Sequence, residues 1–159
     1  MNNFWLHLIH QAFFGGIAAA GFGILFNCPP RMIFECFGSG AVALAVRTVG
    51  QAADLNLGEA SFFAALVVAT LERVLQQFQS SRGSILSLVG VIPMVPGSIA
   101  AKGLMNLLAL VRAQPSDEVL AATNGMRNLL EVTYTLAAIG TALAIPRLIY
   151  PRKTPQALL

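Results

Sequence analysis

Apolar residues in this chain fall in long uninterrupted runs, and short polar clusters punctuate them. The first run extends from about Phe4 to Phe26, the second from about Met32 to Val49 and the third from about Ala60 to Leu75. A fourth covers Ser84 to Val111, and the last occupies 122–150. An α-helix needs roughly 20 apolar residues to cross a hydrocarbon core of about 30 Å. The pattern predicts an all-α integral membrane protein of about five transmembrane helices, surrounded by the lipid bilayer and joined by short loops.

The polar clusters set the limits of the runs. Asn27-Cys28-Pro29-Pro30-Arg31 ends the first, because two successive prolines withhold backbone donors. Asp54, Asn56, Gly58 and Glu59 mark the second loop, Gln76 to Arg82 the third, and Gln114 to Glu118 the fourth. The whole chain, 1–159, reads as a single transmembrane domain. No Lys or Arg precedes Arg31, and the first run is long enough to span, so a retained helix is expected rather than a secretory signal.

Composition agrees. The chain is 56% hydrophobic and 11% charged, with a mean hydropathy of +0.70, too little charge to cover a soluble domain of this size. No nucleic-acid platform fits, so the net charge of +3 bears on orientation. Arg31, Arg73, Arg82, Arg147, Arg152 and Lys153 gather at the first loop, the third loop and the C-terminus. Asp54, Glu59, Asp117 and Glu118 fall in the other two loops, where Arg47 and Arg112 are the only nearby cations. The positive-inside rule then places the N-terminus outside and the C-terminus in the cytoplasm of a multi-pass plasma (inner) membrane protein, which requires an odd number of crossings.

Small residues recur at steps of three and four: Gly15, Ala19 and Gly23 (with Gly16 and Ala20) in the first run, and Ala137, Gly140, Thr141 and Ala144 in the last. Such stripes let helix backbones approach closely in lipid. Packing within the chain and packing in a homo-oligomer both fit.

The fourth run holds the most informative motif. Pro93 and Pro96 remove donors and obstruct the preceding turn, while Gly90 and Gly97 loosen the backbone beside them. As one straight helix, Ser84 to Val111 would measure roughly 40 Å, more than the bilayer core. A break is expected, and unpaired backbone at that depth survives only beside protein or a wet cavity. The second half-helix would begin at Gly97 and Ser98, whose amides suit a solute carboxylate, with Lys102 one turn further. A plain proline kink and a snorkelling Lys102 are the structural alternatives. A re-entrant hairpin of Ser84–Ile92 and Ser98–Val111 is the topological one.

Asn124, Arg127 and Glu131 share one helical face, and Arg31 and Glu35 repeat the four-residue step at the cytoplasmic end of the second run. Inside hydrocarbon Arg31, Glu35, Arg127 and Glu131, with Asn27 before them, are gating or coupling candidates; at its boundary the two charged pairs are interfacial, and Asn124 is, with Lys102, a candidate second contact for the solute. His7 and His10 lack a third ligand, and Cys28 and Cys36 match no zinc or redox spacing, so no metal and no cofactor is expected. No HExxH, GxSxG or phosphate-binding glycine loop is present, so the chain is not expected to be an enzyme. Transport work would draw on an ion gradient or a partner.

Phe26-Asn27-Cys28-Pro29-Pro30-Arg31, Ile92-Pro93-Met94-Val95-Pro96-Gly97 and Thr123-Asn124 together resemble the threonine/serine exporter (ThrE) family, in its short C-terminal-module type (the YjjB-like subunit). The resemblance covers nearly the whole chain, and the proline-glycine motif is its most specific part. It implies a secondary exporter of small carboxylate-bearing solutes, threonine and serine or a dicarboxylate such as succinate. It also implies an obligate partner, a larger YjjP-like membrane subunit. By position the family pattern falls on Asn27, Pro29, Arg31, Pro93, Pro96, Gly97 and Asn124, whereas Arg127 and Glu131 belong to no such motif. The rival reading is a non-transporting membrane scaffold or assembly subunit.

Overall fold

A computed structural model describes residues 2–78, 85–110 and 118–149, and every regular element among them is helical. Helix α1 spans Asn2–Leu25, and a 3-10 turn, Pro30–Met32, leads into α2, Ile33–Ala52. Then come α3 (Leu57–Phe78), α4 (Leu86–Val91), a 3-10 turn at Ile92–Met94, α5 (Gly97–Leu110) and α6 (Glu118–Ile149). The five expected runs each hold helix, the third longer than expected and the fourth divided.

The polar clusters act as helix caps. Asn27 adopts φ 58, its amide donates to the Ile24 carbonyl at 3.0 Å, and the Cys28 amide donates to Gly23 at 2.9 Å. This paired closure satisfies the last carbonyls of α1, and asparagine tolerates the left-handed conformation it requires. α2 ends the same way: Asp54 sits at φ 61, its amide reaches Gln51 and the Leu55 amide reaches Gly50. At the start of α3, Glu59 Oε2 accepts the Asn56 amide at 3.0 Å, one half of a capping box.

Small residues decide the packing. A Cβ on Gly40 of α2 would lie 2.4 Å from the Gly15 carbonyl oxygen and 2.3 Å from the Ala19 Cβ, so the two backbones meet there. Gly23 faces Cys36, which makes the whole first stripe an α1–α2 seam within the chain. The α6 stripe does the opposite: nothing lies within 4 Å of a Cβ at Gly140, and Ala137, Thr141 and Ala144 are exposed. The main core joins Ala43, Ala64, Ala65, Val68, Val91, Met94, Ile139 and Ala142. Large apolar side chains such as Trp5, Leu6, Ile9, Phe34, Leu104 and Leu148 point outward instead. Small residues inside and large apolar ones outside is the arrangement suited to lipid.

Asn3–Leu25, Pro30–Ala52 and Glu118–Ile149 are long and apolar enough to cross a membrane, and the bent pair Leu86–Met94 and Gly97–Leu110 makes a fourth if taken as one span. α3 has the length, at 22 residues, but carries Glu72 and Arg73 together. It packs between α2 and α6, its Ala60, Ala64, Ala65 and Ala69 all buried.

Neighbour pairs fix the helix directions. Ser39 and Arg47 of α2 bond to Leu86 and Met94, so α4 runs with α2 and against α3. Gly58 meets Tyr134, and Ala65 and Val68 share a core with Ile139 and Ala142, so α6 runs with α3. That is the order a broken span gives; a re-entrant pair would leave α6 opposed to α3. The Gly58–Tyr134 contact also sets the middle of α6 level with the α2–α3 turn. At 32 residues α6 is about 48 Å long. Its first half, with α5 packed on it at Gly103 and Gly125, therefore extends past that turn.

Candidate functional site

The break falls where the prolines require it. Pro93 sits at the start of the 3-10 turn, Val95 is extended (φ −60, ψ 124), and α5 leaves at 46° to the segment before it. Pro96 has no amide to give, and its carbonyl accepts the Ala100 amide at 3.1 Å as α5 begins. Among the described residues, the amides of Ser98 and Ile99 find no acceptor; they are the orphan donors of a helix N-terminus.

The Met94 carbonyl, which an unbroken helix would use internally, is met from outside. Arg47 Nη1 donates to it at 2.8 Å, reaching from α2. Arg47 thus pins the unwound segment, and its remaining donors border a cavity of about 260 Å³. Gln11 comes from α1, and Leu44, Arg47, Thr48 and Gln51 from α2; the break contributes Pro93, Val95, Pro96, Ser98 and Ile99. Among the described residues Arg47 is the one charged residue in this lining, and no carboxylate opposes it. The lining thus combines one guanidinium, helix-start amides, and neutral amide and hydroxyl groups, the kinds of donor from which a carboxylate accepts.

Of the residues singled out by sequence, Pro93, Pro96 and Ser98 line this cavity. Gly97 is exposed, and among the described residues nothing lies within 4 Å of a Cβ there, so none of them requires glycine at this position on steric grounds. Lys102 and Asn124 stand exposed on α5 and α6, outside the lining. Arg127 is exposed and Glu131 half-buried, and among the described residues no ion pair joins them. Arg31 is exposed at the start of α2 and Glu35 half-buried one turn on, while Asn27 serves the α1 cap. Arg47, Gln11, Thr48 and Gln51 escaped the sequence reading. The signal for Arg47 was available: it is a lone cation within an apolar run, and such residues face the bundle interior or a cavity.

The profile of the family described as "Threonine/Serine exporter, ThrE" matches residues 11–149, which include both walls of the cavity. The chain belongs to the threonine/serine exporter family. Among curated proteins it is similar to an uncharacterized protein of Haemophilus influenzae, 27% identical over 152 residues. That alignment takes in 96% of this chain and 50% of the relative, so the chain spans about half the relative's length. No solved structure matches.

Proposed function

We propose that the chain is one subunit of a secondary exporter for small carboxylate-bearing metabolites, threonine and serine or a dicarboxylate such as succinate. The observation that carries this reading is the Arg47 cavity at the broken fourth span. The solute carboxylate accepts from the guanidinium donors that Met94 leaves unused and from the Ser98 and Ile99 amides. Gln11, Thr48 and Gln51 meet its hydroxyl or ammonium group. The 46° bend, held by one side-chain bond rather than by helix ladder, is the hinge for alternating access.

The second half of the transporter is a larger membrane subunit, a reading supported by the relative that carries about as much chain again. The complex sits in the plasma (inner) membrane with the N-terminus outside and the C-terminus cytoplasmic, following the loop charges. Co-reconstitution of both subunits in liposomes, loaded with labelled threonine, serine or succinate, tests the reading. One of these solutes should leave the wild-type vesicles. Arg47→Gln should weaken its binding by about 10- to 100-fold, the equivalent of one hydrogen bond to a charged group. Flux from the partner subunit alone, equal to that of the pair, would establish the scaffold reading instead.

A further inference from the structure

A second polar site lies deeper, on the other side of α4, and the solute cavity does not use it. Glu72 of α3 is only 4% exposed. Its Oε2 accepts the Ser87 hydroxyl of α4 at 2.5 Å, while among the described residues its Oε1 has no hydrogen-bond partner. The neighbouring cation does not neutralise it, because Arg73 Nη1 donates to Gln76 Oε1 at 3.2 Å. Gln76 Nε2, one turn on, is also buried and unpartnered. α4 brings no ionisable residue to the site. At this end of the bundle the 3-10 turn before α2 carries Arg31, α2 carries Glu35 and Cys36, and α6 ends with Arg147, exposed; among the described residues none forms an ion pair with Glu72. A carboxyl group so enclosed, with one oxygen bare, is an unmet polar group in an apolar interior, and ionisable groups at such depth mark proton or ion pathways.

The site is wired to the cavity by one short rod. Ser87 lies on α4, which is buried at Leu86, Ser87, Val89, Gly90 and Val91 and runs without a gap into the turn ending at Met94. Ser39 Oγ holds the Leu86 carbonyl at 2.8 Å, and a Cβ at Gly90 would lie 2.1 Å from that same Oγ, so the rod is seated on α2 with no room to roll. Its far end is the Met94 carbonyl held by Arg47.

We propose that Glu72 is the proton-carrying group of the exporter, coupled through Ser87 and α4 to the solute cavity; the proposal rests on the exporter reading above. In each cycle one proton from the outer solution binds Oε1, with no covalent bond to carbon, nitrogen or sulfur made or broken. It leaves to the cytoplasm as one solute moves outward. Loss of the charge loosens the Ser87 bond and frees the α4 rod, and with it the break, to change position.

The test uses the two-subunit complex in liposomes with a trapped pH dye and labelled threonine, serine and succinate. Equal-pH exchange of labelled for unlabelled solute needs only the cavity, whereas net efflux against a pH gradient also needs the proton. Glu72→Gln should keep exchange within about twofold and lose roughly tenfold or more of both net efflux and dye-reported proton entry. Glu72→Asp should recover part of both. A hydrophobic carbodiimide, which reacts with protonated carboxyls in lipid, should leave a mass adduct on Glu72 of the wild type irrespective of transport. Wild-type net efflux in Glu72→Gln, joint loss of exchange and net efflux, or absence of the adduct at every pH would each overturn the assignment. Wild-type complex that neither exchanges nor exports would remove the exporter reading itself, and the assignment with it.

Discussion

Gly40→Ala adds one methyl group at the place where α1 and α2 touch backbone to backbone. The new Cβ would start 2.4 Å from the Gly15 carbonyl oxygen and 2.3 Å from the Ala19 Cβ. Neither neighbour can swing away, since one is main chain and the other has no rotamer. The helices must therefore separate by about 1 Å to restore ordinary contact, and overpacking of this kind costs about 1–3 kcal/mol. Gly140→Ala is the matched control, because its Cβ meets nothing within 4 Å. It should gain up to about 1 kcal/mol from helix propensity. The two variants should thus differ by about 1–4 kcal/mol, or about 2–16 °C in Tm at roughly 2–4 °C per kcal/mol for a chain of this size. Thermal unfolding of the purified chain in one detergent, followed by tryptophan fluorescence or circular dichroism, measures the difference. Equal midpoints, or a more stable Gly40→Ala, would refute the seam and the placement of Gln11 that depends on it.

Pro96→Ala restores a backbone donor at the break. It should straighten the junction, abolish solute flux and leave membrane insertion intact, which flux assays and spin-label distances across α4 and α5 would check. Lys102→Ala, outside the cavity lining, should alter solute affinity by less than about twofold where Arg47→Gln costs tenfold or more, a contrast that binding titrations would resolve. Asn27→Val forces a β-branched residue to φ 58 and should destabilise the chain by about 1–2 kcal/mol, while Asn27→Gly should be near neutral, as read by thermal unfolding.

The membrane class, the helix positions and the break were all legible in the sequence. Each follows from properties a residue carries with it: apolar surface suited to lipid, a proline without an amide, an asparagine that accepts the left-handed turn. Even the first glycine stripe named its function, close helix approach, before any partner for it was visible. The site was only half legible. Pro93, Pro96 and Ser98 line the cavity, but the charge beside them comes from Arg47, some 47 positions earlier in the chain. Lys102 and Asn124, near in sequence to the break or to its motif, face elsewhere because α5 leaves at an angle and, among the described residues, packs chiefly on α6.

Glu72 makes the same point from the other direction. In sequence it is simply the first of two opposite charges near the end of an apolar run. Packing separates the two, turning Arg73 to Gln76 and Glu72 inward to Ser87. Local chemistry sets where a helix starts, stops or breaks, because those choices depend on neighbours along the backbone. Which side chains face one another across the bundle depends on the direction and rotation of whole helices. Those are decided where Gly15 meets Gly40 and where Gly58 meets Tyr134, by contacts between distant segments that no single run contains.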